Sequence, residues 1–428
     1  MLDDALQHAH ARYAQRRPMS ARLHASAARF LPSGTTRSVL DLTPFPFAVE
    51  SGWGCRLRDV DGHEYLDYLG DYSVGLAGHN PREVREAVES VLVSGWSFGA
   101  VAPVEAEVAR LLCERYASMD RVRFTSSGTE ANLVAVSLAA KASGHTTVLG
   151  FDGGYHGGFL SFARGSDSLN VPFELTICDY NDLDSVTSAF RAYGGRLACV
   201  LLEPMLGSGG RIPGDATFLQ GVRDLCTDHG VVLIFDEVQT SRTTPGGAQS
   251  ALGINADLTT VGKYIGGGLG FGAVGGREDV MCLLDRSHEP HFDHSGTFNN
   301  NRFSMAAAAA MLGRVLTAER LDDLHQRGER LRKHADELLR TRGFQATGWG
   351  SLMSIHPTDR PIRSAADLAG IDRRRVQLLF HELLERNVYI GRSGFVTLSL
   401  VHDDETDHAF LTALGEALDA HDHHEWMS

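Results

Sequence analysis

Two stretches of this chain, LACVLLE (Leu197–Glu203) and VVLIFDE (Val231–Glu237), are unbroken apolar runs that stop at carboxylates. A strand that is apolar at every position, rather than at alternate ones, is buried on both faces, which is the condition of a parallel sheet covered by helices. Further strand-like runs near Arg121 and Val148 alternate with helical periodicity, the pattern of βαβ units. The expectation is an α/β fold with a mostly parallel sheet flanked by helices. Such sheets bind ligands at the carboxyl ends of their strands, so position alone sends Glu203 and Asp236 to that edge.

Lys263 is the only charged residue between Asp257 and Arg277, inside the glycine-rich stretch LTTVGKYIGGGLGFGAVGG (258–276). Burial without a counter-charge disfavours the ammonium and lowers the pKa toward the neutral amine that attacks carbonyls, as in Schiff-base lysines. A lysine in an arbitrary loop instead extends its amine to water. Asp236, at a strand end, suits pairing with a cationic nitrogen heterocycle and keeping it protonated. A turn or helix cap uses an aspartate in the same place.

The segment RFTSSGTEANLVAVSLAAKASG (Arg123–Gly144) reads as a short strand followed by a helix with Ala131, Val134, Ala135, Leu138 and Ala139 on one face. Ser127, Gly128 and Thr129 open that helix. Free N–H groups, two hydroxyls and the positive end of the helix dipole make a phosphate site there, or a plain N-cap from the same donors. Taken together, a lone lysine, a strand-end aspartate and a helix-start anion site match the aldehyde, ring nitrogen and phosphate of pyridoxal phosphate.

With these elements in place the chain resembles the class III pyridoxal-phosphate aminotransferases of fold type I. The segments that carry the resemblance are SSGTEAN at Ser126, GGYHGG at Gly153, EPMLGSGG at Glu203, LIFDEVQTSR at Leu233, LTTVGKYIGGG at Leu258 and SGTFNNN at Ser295, spread from about residue 30 to residue 415. Within the class it is similar to the branch of glutamate-1-semialdehyde aminomutases and β-phenylalanine (β-amino acid) aminotransferases; LPSGTTRSVL, SGTFNNN and GRSGFVTLSL are nearer the second group. The resemblance implies pyridoxal 5'-phosphate as cofactor, Lys263 as Schiff-base lysine and Asp236 as partner of the pyridine nitrogen. It places Val238 on one ring face and Tyr155 on the other, His156 of the same GGYHGG segment among the cofactor contacts, and Glu203 near the ring hydroxyl and the substrate. It makes Ser127, Gly128 and Thr129 the phosphate cup, with Thr297 reaching the phosphate from the other subunit of a homodimer.

The resemblance also implies that Arg37 binds the carboxylate of a β-amino acid and that Arg392 is the mobile arginine for a second carboxylate, since a planar guanidinium grips a carboxylate through two hydrogen bonds. The implied reaction is transfer of an amino group from a β-amino acid, aromatic or aliphatic, to a keto acid such as 2-oxoglutarate or pyruvate. A 2,1-aminomutase, decarboxylase or racemase on the same fold stays open as an alternative. Gln239 departs from the methionine that the family often carries after DEV.

At 428 residues and 43% hydrophobic content the chain is long for one domain, so the expected division is an N-terminal arm with a hairpin (1–75), a large cofactor-binding domain (76–312) and a smaller α+β C-terminal domain (313–428). A formal charge of −14 argues against nucleic acid or an anionic membrane as partner. Six cysteines without a CxxC pair and a polar N-terminal segment without an apolar core suit a reducing, cytoplasmic setting and no membrane anchor. The hairpin is expected around Asp61-Gly62, helices after Pro81 and from Val104 to Tyr116, and one long alanine-rich helix from Met305.

Three competing signals are weaker. GGGLGFGA (Gly266–Ala273) imitates a dinucleotide fingerprint without clearly opening a helix. His288, Glu289, His291, Asp293 and His294 lack HExxH spacing, so a solvated loop is expected and no metal site. The terminal HDHHEWMS is expected to be a frayed tail.

Overall fold

The computed structural model describes residues 2–165, 168–421 and 426. Its centre is a seven-stranded sheet. Side by side run Arg121–Thr125, Gly272–Gly276, Leu258–Gly262, Val232–Asp236, Leu197–Leu202, Thr147–Phe151 and Glu174–Cys178. The last five are mutually parallel, and Gly272–Gly276 runs antiparallel to both of its neighbours.

The apolar runs are continuous because both faces of these strands are covered. Phe151, Val200, Leu202, Leu233 and Phe235 pack on one side against Val186 and Phe190 of the helix Leu183–Tyr193 and Phe218, Leu219 and Val222 of the helix Ala216–His229. Their neighbours Val148, Cys199, Leu201, Val232 and Ile234 pack on the other against Ala135, Val136, Leu138 and Ala139 of the helix Gly128–Ser143. Burying an aliphatic side chain of this kind contributes roughly 1.5–3 kcal/mol, so the sheet is held from both sides and its strand ends are fixed.

Two larger sheets flank this core, beside a short antiparallel pair of Met205–Leu206 with Ile212–Pro213. Val49–Trp53, Arg56–Asp59 and Glu64–Asp67 form an antiparallel meander whose Asp61-Gly62 turn is where the sequence predicts it, and Val388–Tyr389 from the far end of the chain adds in parallel to Glu64–Asp67. Gln345–Trp349, Leu352–His356 and Phe395–Thr397 form the other, wholly antiparallel sheet. Helices Arg82–Ser94 and Pro103–Arg115 fall where expected.

The structure adds one helical segment that the sequence reading does not name and corrects one expected helix. The polar N-terminal segment is helical over Leu2–Arg16 and Pro18–Ala27, and Leu2, Ala5, Leu6, Ala9 and Tyr13 form a narrow buried stripe on the first helix. The long helix expected from Met305 is two: Arg302–Ala310 widens into a π-type turn over Met311–Val315, the chain leaves helical geometry at Leu316, and Thr317 caps a new helix over Ala318–Arg340. Among the described residues no helix is long and apolar enough to cross a membrane.

Candidate active site

Register decides what meets at the sheet edge. Gly272 pairs with both Gly262 and Thr125, so Lys263 and the Ser126–Thr129 turn leave the sheet on the same side. Asp236 pairs with Thr260, and Phe235 with Leu202, which brings Asp236 and Glu203 to that side too. The Gly153–His156 turn follows Phe151 there. Residues scattered over 138 positions of sequence, Ser126 to Lys263, therefore converge because their strands end in register.

Asp236 is buried and fully engaged. His156 Nδ1 lies 2.8 Å from its Oδ2, Asn132 Nδ2 donates to the same oxygen at 2.7 Å, and the Val238 N–H donates to Oδ1 at 3.0 Å. Asn132 also donates to the His156 carbonyl at 3.1 Å and accepts from Thr260 Oγ1 at 2.6 Å, which fixes the orientation of its amide. Burial pushes the Asp236 carboxyl toward the neutral form, but the bonds from His156 and Val238 outweigh it and hold the group below its usual pKa. The result is a persistent buried anion.

Glu203 behaves differently. Its oxygens accept the Tyr155 N–H at 3.0 Å and the Gly207 N–H at 2.9 Å, yet burial and the Asp236 charge prevail over His156 and raise its pKa to about 7. Gln239 lies on the same side: a Cβ built on Gly207 would meet Gln239 Nε2 at 2.0 Å and Glu203 Oε1 at 2.8 Å.

Lys263 opens the short turn Lys263–Gly266 with φ of +50°, a left-handed conformation disfavoured for any side-chain-bearing residue other than Asn or Asp. Its depth in the protein lowers the amine's pKa to about 8; Asp236 and Glu203 oppose that shift, and the charge of Arg211 adds to it. Arg211 is itself buried without a carboxylate among the described residues, its guanidinium donating to the Met353 and Val396 carbonyls at 3.0 and 2.6 Å and to Thr397 Oγ1 at 2.7 Å. Nothing in the local sequence announces Asn132, Thr260 or Arg211 as part of this neighbourhood.

At the start of the helix Gly128–Ser143, Ser127 Oγ accepts from the Glu130 N–H at 3.2 Å, while helix geometry leaves the Gly128 and Thr129 amides without intrahelical acceptors. Gly128 lies against Val238, whose Cγ2 would be 2.8 Å from an added Cβ, and Gly157 lies against Thr129, whose Oγ1 would be 2.1 Å away. Tyr155 is 42% exposed beside this turn. Thr297 is exposed in the loop before Arg302 and makes no hydrogen bond to the Ser127–Thr129 turn among the described residues. Pyridoxal phosphate fits this donor set: a buried anion for the ring nitrogen, a buried amine of lowered pKa for the aldehyde, and amides with hydroxyls at a helix start for the phosphate.

Arg37 and Arg392 flank Tyr72. Both lower the pKa of the Tyr72 hydroxyl against a larger upward push from burial, and Arg392 Nη2 lies 3.5 Å from the Ser38 carbonyl. Tyr72 lines a cleft of about 390 Å³ with Leu31, Val39, Phe47 and Tyr389, and Arg392 lies on its wall. Arg37 is paired with Asp71 at 2.9 Å, a partner not foreseen from sequence. The segment after Lys263 forms a 3-10 turn and then the strand Gly272–Gly276, so GGGLGFGA opens no helix. Among the described residues no group of three His, Cys, Asp or Glu side chains is placed to hold a metal ion; the terminal histidines at 423 and 424 lie outside the described residues, and the frayed tail expected there is corrected at Trp426, which is buried and donates to the Leu418 carbonyl at 2.9 Å.

Fold and site together define a pyridoxal-phosphate-dependent transaminase of fold type I, and the chain belongs to the class III aminotransferases, whose family model matches residues 40–418. It is 43% identical to the β-phenylalanine transaminase of Variovorax paradoxus over 98% of this chain and 97% of that one. It is 36% identical to the glutamate-1-semialdehyde 2,1-aminomutase of Bordetella avium over 92% of this chain and 96% of that one. The crystal structure of a β-phenylalanine aminotransferase from Variovorax paradoxus superposes with a TM-score of 0.96 at 42% identity, covering 98% of both chains. A transaminase solved with pyridoxal phosphate bound superposes with a TM-score of 0.86 at 32% identity, covering 94% of this chain and 97% of that one.

Proposed function

We propose that this protein is a homodimeric, cytoplasmic aminotransferase that moves the amino group of a β-amino acid with an aromatic or aliphatic side chain to a keto acid such as 2-oxoglutarate or pyruvate. The observation that carries the reading is the apolar cleft lined by Tyr72 and Arg392, with the Arg37 guanidinium 5.8 Å from the centre of the Tyr72 ring. Apolar walls suit a hydrocarbon side chain, and two guanidiniums suit a donor carboxylate and the extra carboxylate of a dicarboxylic acceptor. The 43% identity to a β-phenylalanine transaminase agrees.

When bound, pyridoxal phosphate supplies an electron sink conjugated to the substrate nitrogen. The rest falls to the chain. Asp236, kept ionised by His156 and Val238, would hold a proton on the ring nitrogen. Lys263 would hold the cofactor through its aldehyde, and its amine, whose pKa is lowered to about 8, would serve as the base that takes the proton from the amine-bearing carbon of the donor. Tyr155 and Val238 would hold the ring, Ser127, Gly128 and Thr129 would hold the phosphate, and Glu203 would act at the ring hydroxyl.

For the homodimer the support is exposed apolar surface at Trp96, Phe98, Val101 and Phe298, with Trp96 stacked near Phe303 and Arg302 over Phe98. Surface of that kind suits a partner subunit, and Thr297 beside Phe298 then reaches the partner's phosphate cup. Six free thiols agree with a reducing compartment.

The test is a panel of α- and β-amino acids as donors, with Arg37→Ala in parallel. Turnover of β-amino acids that stops without a keto acid, and a KM for the donor that rises in the variant, support the reading. Equal use of α-amino acids, or net turnover with no keto acid present as an aminomutase would give, counts against it.

A further inference from the structure

The arginine read as the grip for a donor's carboxylate already holds a carboxylate of its own. Arg37 Nη2 lies 2.9 Å from Asp71 Oδ1, and the guanidinium stands 5.8 Å from the centre of the Tyr72 ring. The segment that presents Asp71 has an uncommon backbone. Gly70, Asp71, Tyr72 and Ser73 have φ of +56°, +44°, +54° and +80°, so three successive residues with side chains sit in left-handed geometry.

Residues enter that region in sequence only where the surroundings over-determine them. Here they do. Asp67 Oδ1 accepts from the Leu69 and Gly70 N–H groups at 2.8 and 3.0 Å, the Gly75 N–H bonds the Gly70 carbonyl at 2.9 Å, and buried Arg242 donates to the Ser73 carbonyl at 3.3 Å. At the front, Tyr72 donates its hydroxyl to the Val39 carbonyl at 2.9 Å. A left-handed turn clamped at both ends thus puts Tyr72 on the cleft wall and Asp71 against Arg37.

The pair is half exposed, at 49% and 51% of side-chain area, so its intrinsic strength is small and a second carboxylate can displace it. We propose that Asp71 is a built-in stand-in for the substrate's carboxylate: it occupies Arg37 in the empty site, yields to the donor, and so sets the affinity for acids that enter the cleft. This rests on the reading of Arg37 as the donor's carboxylate site. The donor class this fits is a β-amino acid whose own carboxylate replaces that of Asp71 at Arg37. Asp71 also adds its charge to the field at Lys263, which sets it within electrostatic reach of the chemistry.

The experiment measures binding of 3-phenylpropanoate, a carboxylate without an amine, to the holoenzyme by calorimetry. Wild type, Asp71→Asn, Arg37→Ala and the double variant are compared. Asparagine has the same shape and tolerates left-handed φ; Asp71→Gly, which relaxes the backbone as well, serves as a second removal of the charge. Both single variants at 71 are expected to bind the acid about two- to fivefold more tightly, and the gain is expected to vanish in the Arg37→Ala background. A gain of affinity is not what structural damage produces. Unchanged or weaker binding in the variants at 71, or a gain that survives loss of Arg37, overturns the proposal. If Arg37→Ala weakens binding while the variants at 71 do nothing, the stand-in falls and the carboxylate site stands; if Arg37→Ala leaves binding unchanged, the carboxylate site itself falls.

Discussion

His156 Nδ1 stands 2.8 Å from Asp236 Oδ2, and both side chains are sealed from water. The contact resolves a conflict, because a carboxylate at that depth would otherwise take up a proton and lose the charge that a pyridinium needs. Asn132 completes the arrangement by donating to the same oxygen, which fixes the orientation of the carboxylate and leaves an acceptor position on Oδ1, where the Val238 N–H is the one donor among the described residues.

Replacing Asp236 with asparagine keeps the shape and removes the charge. Loss of a preorganised electrostatic partner of this kind lowers kcat on the order of 10²-fold or more, and the expectation is that Asp236→Asn does so while still folding. Single-turnover kinetics with a donor amino acid check it; a variant within a few-fold of wild type would show that the ring nitrogen is not held here.

The amine of Lys263, with a pKa of about 8 in place of the usual 10.5, makes cofactor capture pH-dependent in a particular window. Only the neutral amine attacks an aldehyde, so the rate at which apoprotein captures pyridoxal phosphate should rise roughly tenfold per pH unit below 8 and level off just above it. An ordinary lysine would keep accelerating past pH 10. Stopped-flow absorbance across pH 6.5–10.5 distinguishes the two.

Gly157 has φ of +111° and leaves no room for a side chain, since a Cβ there would fall 2.1 Å from Thr129 Oγ1. Gly157→Ala therefore strains the backbone and drives Thr129 out of the phosphate cup. It should weaken cofactor affinity by about tenfold, with a stability loss of about 1–3 kcal/mol. Equilibrium dialysis against the cofactor and thermal unfolding of the apoprotein read the two effects separately.

Much of the sheet edge was legible in the letters, for a physical reason. Leu197–Glu203 and Val231–Glu237 carry their burial and their strand ends in one short pattern, and Lys263 is conspicuous because nothing charged surrounds it. Asn132, Asp71 and Arg211 were not legible. Each acts on a partner 34 or more positions away, Asp71 on Arg37 and Asn132 on Asp236, and such pairings leave no local periodicity. The N-terminal helix was missed because its buried stripe of Leu2, Ala5, Leu6, Ala9 and Tyr13 is diluted by polar residues on every turn. The break near Leu316 has a local mark, Gly313 and the capping residue Thr317, which the alanine run ending at Ala310 overshadows.

Borohydride reduction of the holoenzyme followed by peptide mass mapping asks whether the ε-amine of Lys263 is the nitrogen that holds the cofactor. A pyridoxyl-phosphate adduct is expected on the peptide containing Lys263, and none in Lys263→Ala; an adduct on another lysine, or none on holoenzyme that still transaminates, would overturn the assignment.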